Sequence, residues 1–242
     1  MRHRLLAAAL LLLTVSSVAG CGRGPGPSAW VESAGGGPGT SPGASGTAPV
    51  PRVLSRVPTR DKVVFLTYDD GAERDPRFVE MVRQRRLPVS LFLTDSVAGP
   101  GYGHFARLRA VGATLQNHTM DHAALRGLPY AGQRAEICGQ QNKLKARFGI
   151  RPALLRPPYG MYDDTTLRAA RDCGIRALIL WRVTATDTDT HFTEGPPHLM
   201  PGDIISVTPD ETPGPTLVPR TTRLLKEIEE QGLRVGKLED YL

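Results

Sequence analysis

The sequence predicts an α/β fold built on a parallel sheet, open or closed into a barrel. Short β-branched and aromatic runs alternate with longer segments of helical spacing from Val63 onward. Strands separated by helices need crossover connections, and crossovers pair strands in parallel. The polar residues that stand out fall just after these runs, where a parallel sheet gathers them on one rim. The chain is also long enough, at 242 residues with 40% hydrophobic, to bury a proper core.

Residues 1–20 read as an export signal: Arg2 and Arg4 precede an apolar stretch, Leu5 to Leu13, which gives way to small residues. That stretch is shorter than the roughly 20 apolar residues a bilayer span needs. Residues 21–60 read as a tether, since positions 22–51 hold nine Gly and six Pro in thirty. Such a segment buries too little apolar surface to offset its ordering entropy. Residues 61–242 are expected to form one domain. Collagen, coiled coil, multipass membrane protein and disulfide-stapled miniprotein are excluded.

Within the domain, Val63–Tyr68 is a β-branched and aromatic run that stops at Asp69-Asp70-Gly71. Pro76–Arg86 has helical spacing, with Phe78, Val79 and Val82 on one face. Val89–Thr94 reads as strand, Phe105–Val111 as helix and Thr114–Asn117 as strand. A longer helix fits Gln133–Phe148, followed by a strand at Ala153–Arg156 and a helix at Thr165–Cys173 closed by Gly174. Ala177–Trp181 and Asp203–Val207 are apolar enough for buried strands. Pro219–Gln231 reads as a last helix with its proline in the first turn, before a short strand at Leu233–Val235.

The formal charge is +6, or +4 without Arg2 and Arg4. Arginine dominates lysine, and along the sequence the arginines are scattered. No basic stripe or aromatic-basic interleaving points to nucleic acid, so none is expected. Mild basicity suits a neighbourhood of anionic envelope polymers.

Val18-Ala19-Gly20-Cys21 resembles the lipobox of bacterial lipoproteins, in which the cysteine is acylated and becomes the new N-terminus. Acyl chains contribute about 0.8 kcal/mol per buried CH₂, and two or more anchor a domain stably. The expectation is an exported protein, lipid-anchored through Cys21 to the outer face of the cytoplasmic membrane. The remaining cysteines, Cys138 and Cys173, are either buried thiols or a bridge. The exported setting permits the bridge, and each falls on a helix after one of two consecutive strands.

Three motifs fall at the ends of the first, third and fourth of the expected strands. Asp69-Asp70-Gly71 alone suits a turn. His118-Thr-Met-Asp-His122 places two imidazoles four apart, which a helical turn would put on one face. Arg156-Pro-Pro-Tyr-Gly160 alone is a rigid loop. Gathered on one rim, they supply two histidines and a carboxylate, a facial set for a catalytic divalent metal with positions left open for water. A second carboxylate beside them is the natural base, and a nearby arginine keeps it ionised.

In order and spacing, Thr67–Gly71, Asn117–His122 and Arg156–Gly160 resemble the first three motifs of the polysaccharide deacetylases, carbohydrate esterase family 4. The resemblance implies a distorted (β/α) barrel of about seven parallel strands. It also implies Asp69 as base, Asp70, His118 and His122 as metal ligands, and Arg156 orienting Asp69. The backbone N–H of Tyr159 would stabilise the oxyanion. Two later motifs depart. Thr184 and Thr188 stand in the stretch where the family carries Asp-x-x-Asp-Trp. Thr208 stands where it carries a general-acid histidine that the missing aspartate supports. Asp187 and Asp189 offer carboxylates nearby, and His191 and His198 lie in the intervening loop.

A positioned general acid is worth about 10²–10⁴-fold. Its loss is severe without being fatal, and it falls harder on amides than on esters. The expected function is removal of acetyl groups from N- or O-acetylated sugars of an extracellular or cell-wall polysaccharide, by a monomer using one divalent metal. Zinc is first choice, with cobalt or another divalent ion as alternatives. The other reading is a degenerate, weakly active member that binds metal and carbohydrate.

Overall fold

The structure, a computed structural model, describes residues 48–207 and 216–242. The export signal, Cys21 and Thr208 lie outside the described residues. In chain order the elements are β1 (Arg52–Leu54), β2 (Val63–Asp70), α1 (Pro76–Arg85), β3 (Val89–Leu93), α2 (Asp95–Ala98), α3 (Tyr102–Ala110) and β4 (Thr114–Asn117). There follow α4 (Tyr130–Phe148), β5 (Leu154–Leu155), α5 (Asp164–Asp172), β6 (Ala177–Ile179), β7 (Val183–Ala185), β8 (Thr190–Phe192), β9 (Ile204–Val207), α6 (Leu217–Glu230) and β10 (Arg234–Val235). A short 3₁₀ turn, Leu238–Tyr241, closes the chain.

The strands form one curled sheet in the order β1-β6-β5-β4-β3-β2-β9-β7-β8, with β10 against the start of β2. Every pairing between these strands is parallel except β7 with β8. The result is a half-barrel wrapped by helices, the α/β architecture that the alternation of runs implies. No helix of the described residues is long and apolar enough to cross a membrane.

Strand alternation decides what lies inside. Val64, Leu66 and Tyr68 of β2 pack with Phe78 and Val82 of α1 and Phe105 and Leu108 of α3. Val63 and Phe65 point the other way, into the hollow of the sheet, with Phe92, Ile179 and Ile204. By the same period of two, Thr67 and Asp69 face the hollow. Alternation ends at Asp70, whose φ of 63° lies outside strand geometry. Gly71 follows at φ 85°, and a Cβ there would come within 2.7 Å of the Phe105 ring, so only glycine completes this turn.

Local rules account for the helix ends. Asp75 caps α1 by accepting from the Arg77 N–H, with Pro76 in the first turn. Asp163 and Thr166 form a reciprocal capping box at α5. Helix α6 starts two residues before the position expected from Pro219, which still falls within its first turn. Cys138 on α4 and Cys173, just past α5, are joined by a disulfide with Cα atoms 5.1 Å apart.

Three expectations need correction. Residues 52–60, counted with the tether, belong to the fold: β1 pairs in register with β6, and the Val57 N–H donates to the Gly202 carbonyl at 2.8 Å. A three-residue strand gives too short a period to read against a Gly/Pro-rich background. His118–His122 is an irregular loop rather than a helical turn, with Thr119 at φ 71° and His122 at φ 56°. The stretch holding Thr184 is strand β7, paired with β8 as a hairpin that the sequence reading lacked.

Candidate active site

The carboxyl ends of β2, β4 and β5 deliver the candidate groups to one rim. Asp69 is held at both oxygens. Arg156 Nη1 donates to Oδ1 at 2.7 Å, and Ser206 Oγ donates to Oδ2 at 3.0 Å. Burial opposes its ionisation, but the Arg156 guanidinium, His118 and the hydrogen bonds from Arg156 and Ser206 outweigh it, and Asp69 sits below the usual carboxylate range. Arg156 is fully buried. Its remaining N–H groups reach the carbonyls of Ile179 and Leu180, and its guanidinium lies over the rings of Phe92 and Trp181 at 4.5 and 5.2 Å. A charge so enclosed is fixed in position, and it fixes the carboxylate.

His118 donates from Nδ1 to the Arg156 carbonyl at 2.7 Å. That bond fixes the tautomer, leaving Nε2 as a bare lone pair, and burial keeps the ring below the ordinary imidazole value. Nε2 of His118 and Nε2 of His122 each stand 3.4 Å from Asp70 Oδ1. All three donor atoms lie within 4.8 Å of one another. Asp70 Oδ1 is buried without a hydrogen-bond partner among the described residues. The His118 Nε2 lone pair faces the Asp70 Oδ1 lone pairs with no proton between them, and a cation removes that repulsion. A tetrahedral ion with ligands at about 2.1 Å has edges of about 3.4 Å, which the two Asp70–histidine separations match, while the two imidazoles, within 4.8 Å of one another, would close on a zinc-like ion. Asp70 is 27% and His122 26% exposed against 3% for His118, so the set opens to solvent on one side.

The His118–His122 loop is held from several elements. Thr94 Oγ1 donates to the His118 carbonyl, Asn117 Oδ1 accepts from the Thr119 N–H, and the Ser96 N–H reaches the Met120 carbonyl. Glu136 of α4 accepts from the Met120 and Asp121 N–H groups at 3.1 and 3.0 Å. Gly139, one turn further, lets α4 approach, since a Cβ there would lie 2.8 Å from Met120. Among the described residues, four of the five non-glycine residues with positive φ, Asp70, Thr119, His122 and Tyr159, are at this rim; the fifth, Arg86, caps α1. Such strain concentrates where surrounding structure over-determines a functional geometry. Tyr159 is 63% exposed, its ring 4.8 Å from that of His122.

Thr184 on β7 is in register with Ser206 on β9, which bonds Asp69. Thr188 is exposed. Asp187 is engaged by the buried Arg220 of α6. His191 and His198 are exposed; the first pairs with Thr184 across the hairpin, and the second offers its carbonyl to Arg182. The sequence reading missed Ser206 and Glu136. Alternation along β9 could have turned Ser206 toward Asp69, whereas nothing in the spacing marks Glu136.

The sequence profile of the family described as polysaccharide deacetylase matches residues 56–178. The chain belongs to the polysaccharide deacetylase family. It is 65% identical over 194 residues to an uncharacterized protein of Streptomyces coelicolor, covering 80% of this chain and 78% of that one. It is 25% identical over 182 residues to a peptidoglycan-N-acetylglucosamine deacetylase of Bacillus cereus, covering 71% of this chain and 65% of that protein's length. Among solved structures, a carbohydrate esterase family 4 pseudoenzyme from Bacillus anthracis superposes with a TM-score of 0.67 at 19% identity, over 79% of this chain and 69% of that one. At that identity the superposition speaks for the deacetylase fold alone.

Proposed function

We propose that this deacetylase-family chain removes acetyl groups from N- or O-acetylated sugars of a cell-envelope polysaccharide, using one divalent metal held by Asp70, His118 and His122. The observation that carries the reading is the set of three unshared donor atoms beside a second carboxylate, Asp69, that is fixed and kept ionised. A metal bound there supplies Lewis acidity, polarising an acetyl carbonyl and making a water easier to deprotonate. Asp69 takes the proton of the attacking water, and Arg156 keeps that carboxylate charged and oriented. The Tyr159 N–H donates to the oxygen that becomes negative. His118, locked by the Arg156 carbonyl, couples the metal set to the base. The C–N or C–O bond then breaks, and the leaving amine or alkoxide takes up the proton that Asp69 received from the water. With Thr208 at the family's histidine position, O-acetyl esters are the substrates least affected.

The bacterial relative that acts on peptidoglycan N-acetylglucosamine supports an envelope substrate, and the lipobox-like Val18–Cys21 supports anchoring outside the cytoplasmic membrane. The test is acetate release from acetylated glycans and a small aryl acetate, with and without zinc or cobalt. Turnover that needs the ion and disappears in Asp69→Asn is expected. Stoichiometric metal with no turnover on any substrate would make the chain a metal- and carbohydrate-binding protein instead.

A further inference from the structure

We infer that the end of the barrel opposite the active site is a docking face for an anionic phospholipid surface. In a parallel sheet, helix C-termini and strand starts meet at the end away from the catalytic rim. There α1 ends with Arg85 and Arg86, α3 with Arg107 and Arg109, and α4 with Lys145 and Arg147, all exposed. Among the described residues none of the six makes an ion pair with a carboxylate. The ends of α3 and α4 are contiguous. Arg109 and Arg147 line one shallow depression with Ala106, Ala110 and Phe148, and Arg109 Nη1 donates to the Phe148 carbonyl at 2.8 Å. Helix α1 packs beside α3. Scattered in sequence, these six cations are gathered by topology at one end, where they outnumber the exposed acids Asp61, Asp172, Glu229 and Glu230, while the opposite rim carries Asp70, Glu73, Asp121 and Asp164 beside Arg74, Arg77 and Arg126.

Cations in the last turn of a helix ordinarily complement its dipole. That explanation does not reach Arg60 and Lys62 before β2 or Arg176 before β6, exposed cations at the same end with no helix terminus to serve. The chain also enters the fold here. Strand β1 runs parallel to β6, so Arg52 stands at this end, and Cys21 lies upstream of it. The chain from Cys21 thus joins the domain on the side of this face, and docking of the face on headgroups would turn the rim of Asp69 toward the wall. The choice of a membrane over other polyanions rests on the anchoring reading.

Each cation close to an anionic membrane is worth about fivefold in affinity. The experiment uses the full chain with Cys21→Ser, so that no acyl chain contributes, and co-sedimentation with vesicles of three parts phosphatidylcholine to one part phosphatidylglycerol. Binding that weakens with salt is expected, as is a loss of about 100-fold in Arg85→Gln/Arg107→Gln/Lys145→Gln. Arg74→Gln/Arg77→Gln/Arg126→Gln removes the same charge from the catalytic rim, and should bind much as its parent does. Both triples keep the apolar N-terminal stretch, so its contribution cancels, and thermal unfolding verifies that both are folded. Equal losses from the two triples, binding to pure phosphatidylcholine that ignores charge, or capture by a soluble glycerol-phosphate polymer without vesicle binding would each overturn the inference. The anchoring reading fails separately, if the mass of the exported wild-type chain shows Cys21 unacylated or removed with the signal.

Discussion

Replacing Glu136 by alanine should loosen the metal loop from a distance. Its carboxylate accepts from the Met120 and Asp121 N–H groups, between the two candidate ligands His118 and His122. Thr119 and His122 both hold positive φ, a strain of about 1–3 kcal/mol each, so the loop needs external anchors. Charge-assisted hydrogen bonds contribute about 1.5–3 kcal/mol apiece. Water can replace part of the more exposed bond to Asp121, which puts the combined loss at about 2–3 kcal/mol. That is comparable to the strain, and His122 should relax away from Asp70. Partners that orient metal ligands typically change affinity by about 10–100-fold. A competition titration with a chromophoric chelator should find the Glu136→Ala protein weaker for zinc by that factor. Glu136→Gln, which keeps a neutral acceptor, should fall between. Unchanged zinc affinity in folded Glu136→Ala would mean that Thr94, Asn117 and Ser96 hold the loop without it, and the reasoning would be wrong.

Three further outcomes follow from other contacts. Cys138→Ala/Cys173→Ala opens a bridge spanning 35 residues, and chain entropy puts the lost stability at about 4 kcal/mol; a urea-unfolding difference below about 1 kcal/mol would contradict it. Arg182→Met takes both guanidinium bonds from the fully buried Asp203 carboxylate, leaving it the Met200 N–H and Arg56 Nε at 3.8 Å. Denaturation should record about 3–5 kcal/mol lost, and less in Arg182→Met/Asp203→Leu; a double variant no more stable than the single would refute the charge argument. The Gly127 N–H, with burial opposing and the Thr166 and Gln133 groups assisting, holds Asp163 down at about 2. A depressed carboxyl stabilises the fold above its unfolded value and loses that contribution as pH falls. The gap between wild type and Asp163→Ala, about 1–2 kcal/mol, should therefore persist near pH 4 and close as pH drops through about 2; a gap independent of pH in this window would exclude the carboxylate as its source.

Spacing along the chain was enough to place most strands from Val63 to Val207 (though not the β7–β8 hairpin), the longer helices between them, and Asp69, His118 and Arg156 at three strand ends. These are local properties. A period of two or of 3.6, a proline at a helix start and a glycine at its end depend on neighbours within a few residues. The convergence of Asp70 with His122 was legible only through a resemblance of motifs. The geometry that achieves it, left-handed backbone at Asp70, Thr119 and His122, has no signature in residue type. Glu136 reaches that loop from another helix, Ser206 reaches Asp69 across 137 positions, and β1 finds β6 across more than a hundred. Arg85, Arg107, Arg109 and Arg147, which read as scattered, fall at one end of the sheet because each lies in the last turn of a helix there. Which residues meet across such distances depends on sheet order and register, and those are set by the packing of the whole core rather than by any short window of sequence.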